Sequence, residues 1–230
     1  MINNEFTGCT ISPHKCKCFT TLSKVEKELL DNNSVKIEYK KGEIICKQGG
    51  LASHILYVES GLTKVFIEEG VSTLVLKIIP DCNLLGLSSI SENNNTFQYS
   101  AMAYIDSLIR QIDISVFRQL IRQNPKFASE IIEIFIANSA QINSRFFCLT
   151  HKQSYGRLAD ILLCLADRIF KANVFNLDLT RKDLAELTGI SQETVVRMLK
   201  KFKDEKIIQI EGKRFNIIDY KKLKMISKAG

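Results

Sequence analysis

The sequence has no tryptophan and only three histidines, and no apolar run in it is long enough to cross a membrane. The longest apolar stretches, at 131–136 and 161–166, are short and are interrupted or flanked by acidic residues, so we expect no transmembrane helix. The histidines are dispersed, without a His-x-His or His-Glu pair, which argues against a metal-dependent enzyme. The first residues lack a charged stretch followed by an apolar core, so we expect no secretory signal and a cytoplasmic protein.

Charge is distributed unevenly along the chain. Residues 1–150 carry 15 Lys and Arg against 15 Asp and Glu, whereas residues 151–230 carry 17 against 10. The net charge of +7 therefore belongs to the last third of the chain. This asymmetry favours a polyanion-binding module joined to an electrically neutral domain, with a solvated basic surface as the alternative.

The seven cysteines are an odd and scattered set, which indicates thiols in a reducing compartment. Three of them, Cys9, Cys16 and Cys18, lie in residues 1–20, which show no clear periodicity and are predicted to form an irregular arm. A short amphipathic helix is predicted next, at 22–30.

Between residues 35 and 114 the pattern is that of short strands. Runs rich in β-branched and aromatic residues alternate with glycines, which tolerate the positive φ of tight turns. This regular spacing predicts an antiparallel sandwich or barrel. The predicted strands are 35–39, 43–46, 54–58, 62–67, 72–79 and one run over 97–112.

From residue 114 the apolar period becomes helical. Ser115 is expected to cap a short helix, and Pro125 fits near the start of the next one. That second helix is predicted over about 126–150, and at about 1.5 Å per residue it is longer than a small sandwich needs for its own core. We therefore expect it to pair with a second copy of itself, with packing on the sandwich as the alternative.

Residues 179–218 have the spacing of a helix-turn-helix followed by a wing. Thr180 opens a helix over 181–188, Gly189 and Ile190 form a tight turn, and Ser191 caps a second helix over 192–202. Small and aliphatic residues fall where two steeply crossing helices must bury them. Residues 207–210 and 215–218 are predicted to be the two strands of the wing.

The second of these helices would lie in the major groove of double-stranded DNA. Arg197 can donate two hydrogen bonds to guanine, and Glu193, one turn earlier on the same face, can accept from a cytosine amino group. Val196 suits a thymine methyl group, and Gln192 can reach adenine or a phosphate. The expected phosphate contacts, which fix the register without reading sequence, are Thr180, Arg181, Ser191, Thr194, Lys200 and Lys213.

RNA or a membrane surface is the alternative partner of the basic segment, which would then be a binding module without a regulatory role. RNA-reading sheets usually display aromatic residues for base stacking. The basic segment has few aromatic residues and no tryptophan, so its composition favours DNA.

The chain resembles the family of the cyclic-AMP receptor protein and the fumarate-nitrate-reduction regulator (CRP/FNR). The resemblance rests on KGEIICKQG at 41–49, LYVESG at 56–61, the long helix, and residues 180–202, where Glu193-Thr194 followed by Arg197 looks like the family's base-reading motif. It implies an α+β fold with four parts. These are an arm (1–20), an antiparallel cyclic-nucleotide-binding-type β-roll that senses an effector (21–121), a dimerisation helix (122–152) and a winged helix-turn-helix (153–230).

The same resemblance implies a homodimer that binds a palindromic site near a promoter. Activation of transcription would need contact with RNA polymerase, for which the segment 91–95 is a candidate. Control by the effector is expected to act through the long helix and a hinge near 151–155.

The effector-binding positions depart from the family pattern. Members that bind cyclic AMP place a glutamate soon after the glycine that matches Gly86 and, about ten residues later, an arginine that neutralises the cyclic phosphate. Here the matching positions are Leu87 and Phe97-Gln98, and no lysine or arginine occurs between 77 and 110. The resemblance thus marks Gly86, Leu87, Phe97 and Gln98 as the effector pocket, while their chemistry argues against cyclic AMP.

An iron–sulfur cluster is the other effector that the resemblance implies. Oxygen-sensing members hold it with three cysteines near the N-terminus and a fourth in a late strand, and Cys9, Cys16 and Cys18 lie in the matching arm. The fourth position is Arg110, and the Cys16-Lys-Cys18 spacing is tighter than in the common cluster motifs. Cys46, Cys82 or His14 could supply the missing ligand. A different metal, a thiol redox role, and haem bound through His14, His54 or His151 are the alternatives that stay open.

Overall fold

The structure is a computed structural model that describes residues 15–70, 72–177 and 179–230. Its chain divides into two compact units, one formed by Lys77–Ser139 with the described part of Ser12–Thr73, the other built around Ala140–Gly230. Within the described ranges no helix is both long and apolar enough to cross a membrane.

The first unit begins with a 3-10 turn, Cys18–Thr21, and a helix, α1 (Lys24–Asn32). Two four-stranded sheets follow, with strand orders β1-β8-β3-β6 and β2-β7-β4-β5. The pairs β1–β8, β3–β8, β3–β6, β2–β7 and β4–β7 are antiparallel. The strands are β1 (Ser34–Tyr39), β2 (Ile44–Cys46), β3 (His54–Ser60), β4 (Leu62–Glu69), β5 (Ser72–Pro80), β6 (Asn83–Leu85), β7 (Ser100–Ala103) and β8 (Ser107–Asp113).

Both faces of the central strands are buried in this unit. Ile55 of β3 pairs with Ile112 of β8, and Val58 pairs with Ile109. All four side chains are fully buried, although residues three apart in a strand point to opposite faces of the sheet. The turn between β3 and β4 needs a glycine, because Gly61 has a φ of +111° and a Cβ there would lie 2.7 Å from the Cα of Ser107. The predicted antiparallel β fold is confirmed.

Three local predictions in this unit are wrong. The run predicted over 97–112 is two strands, β7 and β8, separated by a turn. The first helix begins at Lys24 rather than 22, because Ser23 and Glu26 form a reciprocal capping box there. Ser115 does not cap the next helix, α2 (Ile114–Gln123), because the Asp113 carboxylate accepts the backbone N–H groups of residues 115 and 116.

The long helix, α3, spans Pro125–His151, close to the range predicted from its apolar period. At about 1.5 Å per residue it is about 40 Å long. Its first half contributes Phe127, Ile131 and Ile134 to the core of the first unit. A stripe of large apolar side chains nevertheless stays exposed along the helix, at Ile132, Phe135, Ile136, Ile142, Phe146 and Phe147.

The second unit contains four further helices and a small sheet. Helix α4 (Ser154–Cys164) runs into a π-helical turn, Leu165–Phe170, and the three-stranded sheet has the order β10-β11-β9. Strand β9 and helix α7 were not predicted from the sequence. The remaining elements are β9 (Val174–Asn176), α5 (Arg181–Thr188), α6 (Gln192–Asp204), β10 (Ile208–Glu211), β11 (Arg214–Ile217) and α7 (Tyr220–Ala229).

Candidate nucleic-acid interface

Local capping signals fix the two helices of the helix-turn-helix. Thr180 caps α5 in a reciprocal box with Asp183, and Ser191 caps α6 by accepting the backbone N–H of Thr194 at 3.2 Å. Between the helices Gly189 takes the left-handed conformation, with a φ of +63°. That conformation suits glycine and ends α5 abruptly, so the chain turns directly into α6.

Packing determines which face of α6 points outwards. Val195, Met198, Leu199 and Phe202 are buried against the rest of the unit, at the spacing of one helix face. The opposite face is exposed and carries the predicted base-reading residues Gln192, Glu193, Val196 and Arg197, together with Lys200. All four predicted base readers therefore share one solvent-facing surface, which we call the reading face.

The reading face is open to an external ligand. Val196 is 50% exposed, an unusual position for an aliphatic side chain on an otherwise polar surface. Glu193 and Arg197 lie one helical turn apart and are both exposed. An exposed carboxylate and guanidinium at this spacing can hydrogen-bond to two adjacent groups on the edge of a base pair.

The predicted phosphate contacts differ in their exposure and in their local hydrogen bonds. The hydroxyls of Thr180 and Ser191 are engaged as helix caps, since Thr180 also donates to Asp183 at 2.8 Å and Ser191 to Thr194 at 2.9 Å. Arg181 is half-buried with its guanidinium 6.0 Å from the centre of the Phe215 ring, and burial lowers its pKa. Lys200 and Lys213 are exposed, the latter in the turn of the wing.

The wing supplies polar groups that the sequence had not suggested. A shallow depression of about 220 Å³ on the wing is lined by Gln209, Glu211, Arg214 and Asn216. The sequence contains a pattern that predicts two of them. Phe215 is apolar and lies between two polar residues, which indicates a strand with residues 214 and 216 on its outward face.

Two arginines hold the C-terminal end of α5 and so position the turn. Arg145, on the second half of α3, is buried and donates to the backbone carbonyl of Leu187. Arg157, on α4, donates to the carbonyl of Gly189 at 3.5 Å. The dipole of α5 stabilises positive charge at the C-terminal end of the helix. Burial acts against the charged form and lowers the pKa of Arg145 to about 10. Sequence reasoning missed both residues, since neither lies near α5 in the chain.

In the first unit, the predicted effector positions cluster after β6. Gly86 has a φ of +84°, and its N–H donates to the Tyr99 hydroxyl at 2.7 Å. Leu87 and Phe97 are buried, and the Phe97 ring lies 3.1 Å from where a Cβ of residue 86 would be. Gln98 is exposed, and its amide donates to groups of its own loop.

This set of residues does not fit a cyclic nucleotide. The backbone donor at Gly86 is already bonded to Tyr99, and the Phe97 ring covers the glycine. None of the four side chains can carry a positive charge to neutralise a cyclic phosphate.

The predicted cluster ligands are only partly within the described residues, since Cys9 lies outside them. Cys18 is fully buried and Cys16 partly exposed, and a hydrogen bond between the two thiols lowers the pKa of Cys16 and raises that of Cys18. Arg110, at the position of the fourth cysteine, is ion-paired with Glu59 at 2.7 Å and Asp31 at 2.6 Å. Across the described part of the chain, no three His, Cys, Asp or Glu side chains are arranged to hold a metal ion.

The histidines raised as haem ligands are engaged in local contacts. His54 shares a 2.9 Å hydrogen bond with Ser53, and the His151 ring stacks on Phe147 with 4.5 Å between ring centres. His14 lies outside the described residues. The described cysteines and histidines therefore do not by themselves supply the ligands of an iron–sulfur cluster.

An antiparallel β-domain joined by a long helix to a winged helix-turn-helix defines a class of DNA-binding transcription regulators. Residues 36–124 match the family described as cyclic nucleotide-binding domain, and residues 156–226 match the Crp-like helix-turn-helix domain. The chain belongs to the CRP/FNR family of transcription regulators.

Individual relatives agree with this assignment. Electron transport regulator A of Shewanella oneidensis is 26% identical over 232 residues, which cover 96% of this chain and 92% of that protein. The cAMP-activated global transcriptional regulator CRP of Escherichia coli O157:H7 is 27% identical over 188 residues, covering 76% and 86%. A solved structure of a putative CRP/FNR-family regulator from Eubacterium rectale has a TM-score of 0.76 at 21% identity, covering 92% and 98%.

Proposed function

We propose that this protein binds a palindromic promoter site as a homodimer, and that an effector other than cyclic AMP controls the binding through the N-terminal domain. The reading face of α6 carries this proposal, because packing turns Glu193 and Arg197 together into solvent. We place the protein in the cytoplasm and assign it no enzymatic activity.

Base recognition is assigned to four side chains. Arg197 donates to O6 and N7 of a guanine, and Glu193 accepts from a cytosine amino group at the same or the adjacent base pair. Val196 contacts a thymine methyl group, and Gln192 contacts adenine or a phosphate. Phosphate contacts that fix the register are assigned to Thr180, Arg181, Ser191, Thr194, Lys200 and Lys213.

Dimerisation is assigned to the exposed stripe of α3. Ile132, Ile136, Ile142 and Phe146 are each more than half exposed, at 58%, 57%, 58% and 68%. A two-fold axis along the helix would let each stripe cover its copy and remove these side chains from water. Two reading faces related by that axis would read a palindrome, with half-sites about one helical turn of DNA apart.

Regulation is assigned to the first unit and its connection to the reading face. Arg145 and Leu149 of α3 contact the end of α5 and the turn, so a shift of this helix would move the helix-turn-helix with it. RNA polymerase is the proposed partner in transcription, and residues 91–95 are exposed and accessible to it.

Selection of bound duplexes from a random pool tests the DNA proposal. Because the effector is unknown, the protein is purified once without exposure to air and once in air. Selection with the unaltered protein is expected to enrich a palindrome containing a G·C pair in each half-site. With Arg197→Ala, discrimination at that pair is expected to fall by about 1–3 kcal/mol.

Two control variants separate base reading from general charge. Lys200→Ala is expected to weaken binding to all sequences alike, because it removes a phosphate contact. Lys224→Ala removes an equally exposed charge from α7, away from the reading face, and is expected to leave the selected sequence unchanged. Equal losses on selected and random DNA for Arg197→Ala and Lys200→Ala would refute the assignment of base recognition to α6.

A further inference from the structure

Two segments far apart in the sequence are joined at one edge of the first unit. Lys15 Nζ forms an ion pair with the Asp81 carboxylate at 3.0 Å, and the N–H of Cys16 donates to the carbonyl of Cys82 at 2.7 Å. The first segment precedes the 3-10 turn, and the second is the tight turn between β5 and β6. These contacts bring two cysteines next to each other.

The spacing of these two cysteines suits a disulfide. One backbone hydrogen bond of 2.7 Å joins them, and only an N–Cα bond, a C=O bond and a C–Cα bond lie between it and the two Cα atoms, so these atoms are less than about 7 Å apart. The Cα separation in disulfides is about 4.4–6.8 Å. Both thiols act on the same neighbour, since, besides burial, Cys82 and Cys16 each contribute to raising the pKa of the Tyr57 hydroxyl.

Accessibility distinguishes this pair from the other cysteines that the structure describes. Of the free cysteines, Cys16 and Cys82 are partly exposed, whereas Cys18, Cys46 and Cys148 are buried. A dissolved oxidant therefore reaches the first two thiols most easily.

We propose that Cys16 and Cys82 form a redox-active dithiol, which a two-electron oxidant such as hydrogen peroxide converts to a disulfide. The sulfur of Cys16 attacks one peroxide oxygen, the O–O bond breaks, and a sulfenic acid and one water are produced. The Cys82 thiol then attacks the sulfenic sulfur, the S–O bond breaks, and a second water leaves as the S–S bond forms. Two thiols are oxidised and one peroxide is reduced.

The disulfide would tie the N-terminal segment covalently to the β5–β6 turn. It closes a long loop of the chain, which restricts the unfolded state, so the oxidised protein is expected to unfold at a higher temperature than the reduced one.

Peptide mapping of the full-length protein tests the proposal. Protein treated with an equimolar amount of hydrogen peroxide is alkylated, digested without reduction and analysed by mass spectrometry. We expect a cross-linked peptide pair containing Cys16 and Cys82, two mass units lighter than the sum of the reduced peptides, and its loss after dithiothreitol. Cys46→Ser serves as a matched control that keeps the cross-link, because Cys46 is buried and burial raises its pKa to about 12.

Other outcomes would overturn the proposal. One is a cross-link from Cys16 to any other cysteine while Cys82 stays fully alkylated. Another is a metal ion, bound by the purified protein, that is lost in Cys16→Ser and Cys82→Ser.

Thermal unfolding provides a second test. Peroxide is expected to raise the melting temperature of the unaltered protein but not that of Cys82→Ser. This result would support the disulfide, provided that the far-ultraviolet circular dichroism spectrum of Cys82→Ser is unchanged.

Discussion

The Phe146→Glu variant tests the proposed dimer, and its effect follows from the exposure of α3. Phe146 is 68% exposed, the most exposed side chain of the apolar stripe, and lies near the C-terminal end of the stripe. Full burial of a phenylalanine side chain stabilises by about 1.5–3 kcal/mol, so covering its exposed part is worth about 1–2 kcal/mol. Both copies contribute, so the dimer is expected to lose about 2–4 kcal/mol, a roughly 30- to 1000-fold rise in its dissociation constant.

Sedimentation equilibrium over a range of protein concentrations measures this constant directly. Lys126→Glu is the matched control, since it also adds a negative charge to α3 but lies on the opposite side from the stripe. It is expected to leave the constant unchanged. If both variants keep the dissociation constant of the unaltered protein, the stripe is not the interface, and a protein that is monomeric at all concentrations would refute the dimer itself.

Two further predictions concern lysines that are largely shielded from solvent. Lys152→Met removes the ion-pair partner that lies 2.7 Å from the buried Asp160 carboxylate, and it is expected to lower the free energy of unfolding by about 3–5 kcal/mol. The double variant Lys152→Met, Asp160→Leu is expected to recover part of this loss, because it leaves no unpaired charge. Equal losses in the single and the double variant would contradict this prediction. Burial lowers the pKa of Lys77 from 10.5 to about 8 in the folded protein. Between pH 8 and 10.5 the unfolded chain therefore binds more protons at this residue than the folded chain does. The free energy of unfolding is expected to rise with pH across that window. Urea unfolding of Lys77→Met at pH 7 and 10 is expected to lack this rise, and an identical pH dependence in both proteins would contradict it.

The helix-turn-helix could be predicted closely because its signals are local. The caps at Thr180 and Ser191 and the glycine at 189 each act within a few residues of where they lie in the chain. Exposure of the base-reading residues followed from the same helical period. These features need no knowledge of the distant parts of the chain.

Elements that depend on distant partners could not be predicted in this way. Strand β9 has three residues, and its pairing with β11 is what makes it a strand. Helix α7 is lysine-rich, and only Leu223 and Ser227 are buried along it. Likewise, Arg145 became a positioning residue only when the fold brought α3 against the end of α5.

Effector chemistry was the least predictable part, for the same physical reason. The sequence showed which charges are missing near Gly86, but not that the Tyr99 hydroxyl takes its N–H. It also placed Cys16 in an arm without showing that Cys82, 66 residues later, lies beside it. Side-chain proximity across a sheet edge depends on the folded topology and leaves no local pattern.

The most direct test of the central claim is a fluorescence anisotropy titration of the selected duplex and of a scrambled duplex of the same composition, at equal salt. The account predicts that the selected duplex binds two chains and does so at least about 10³-fold more tightly than the scrambled one. Equal affinities for the two duplexes would contradict it, because they would leave only general attraction between a basic domain and phosphate.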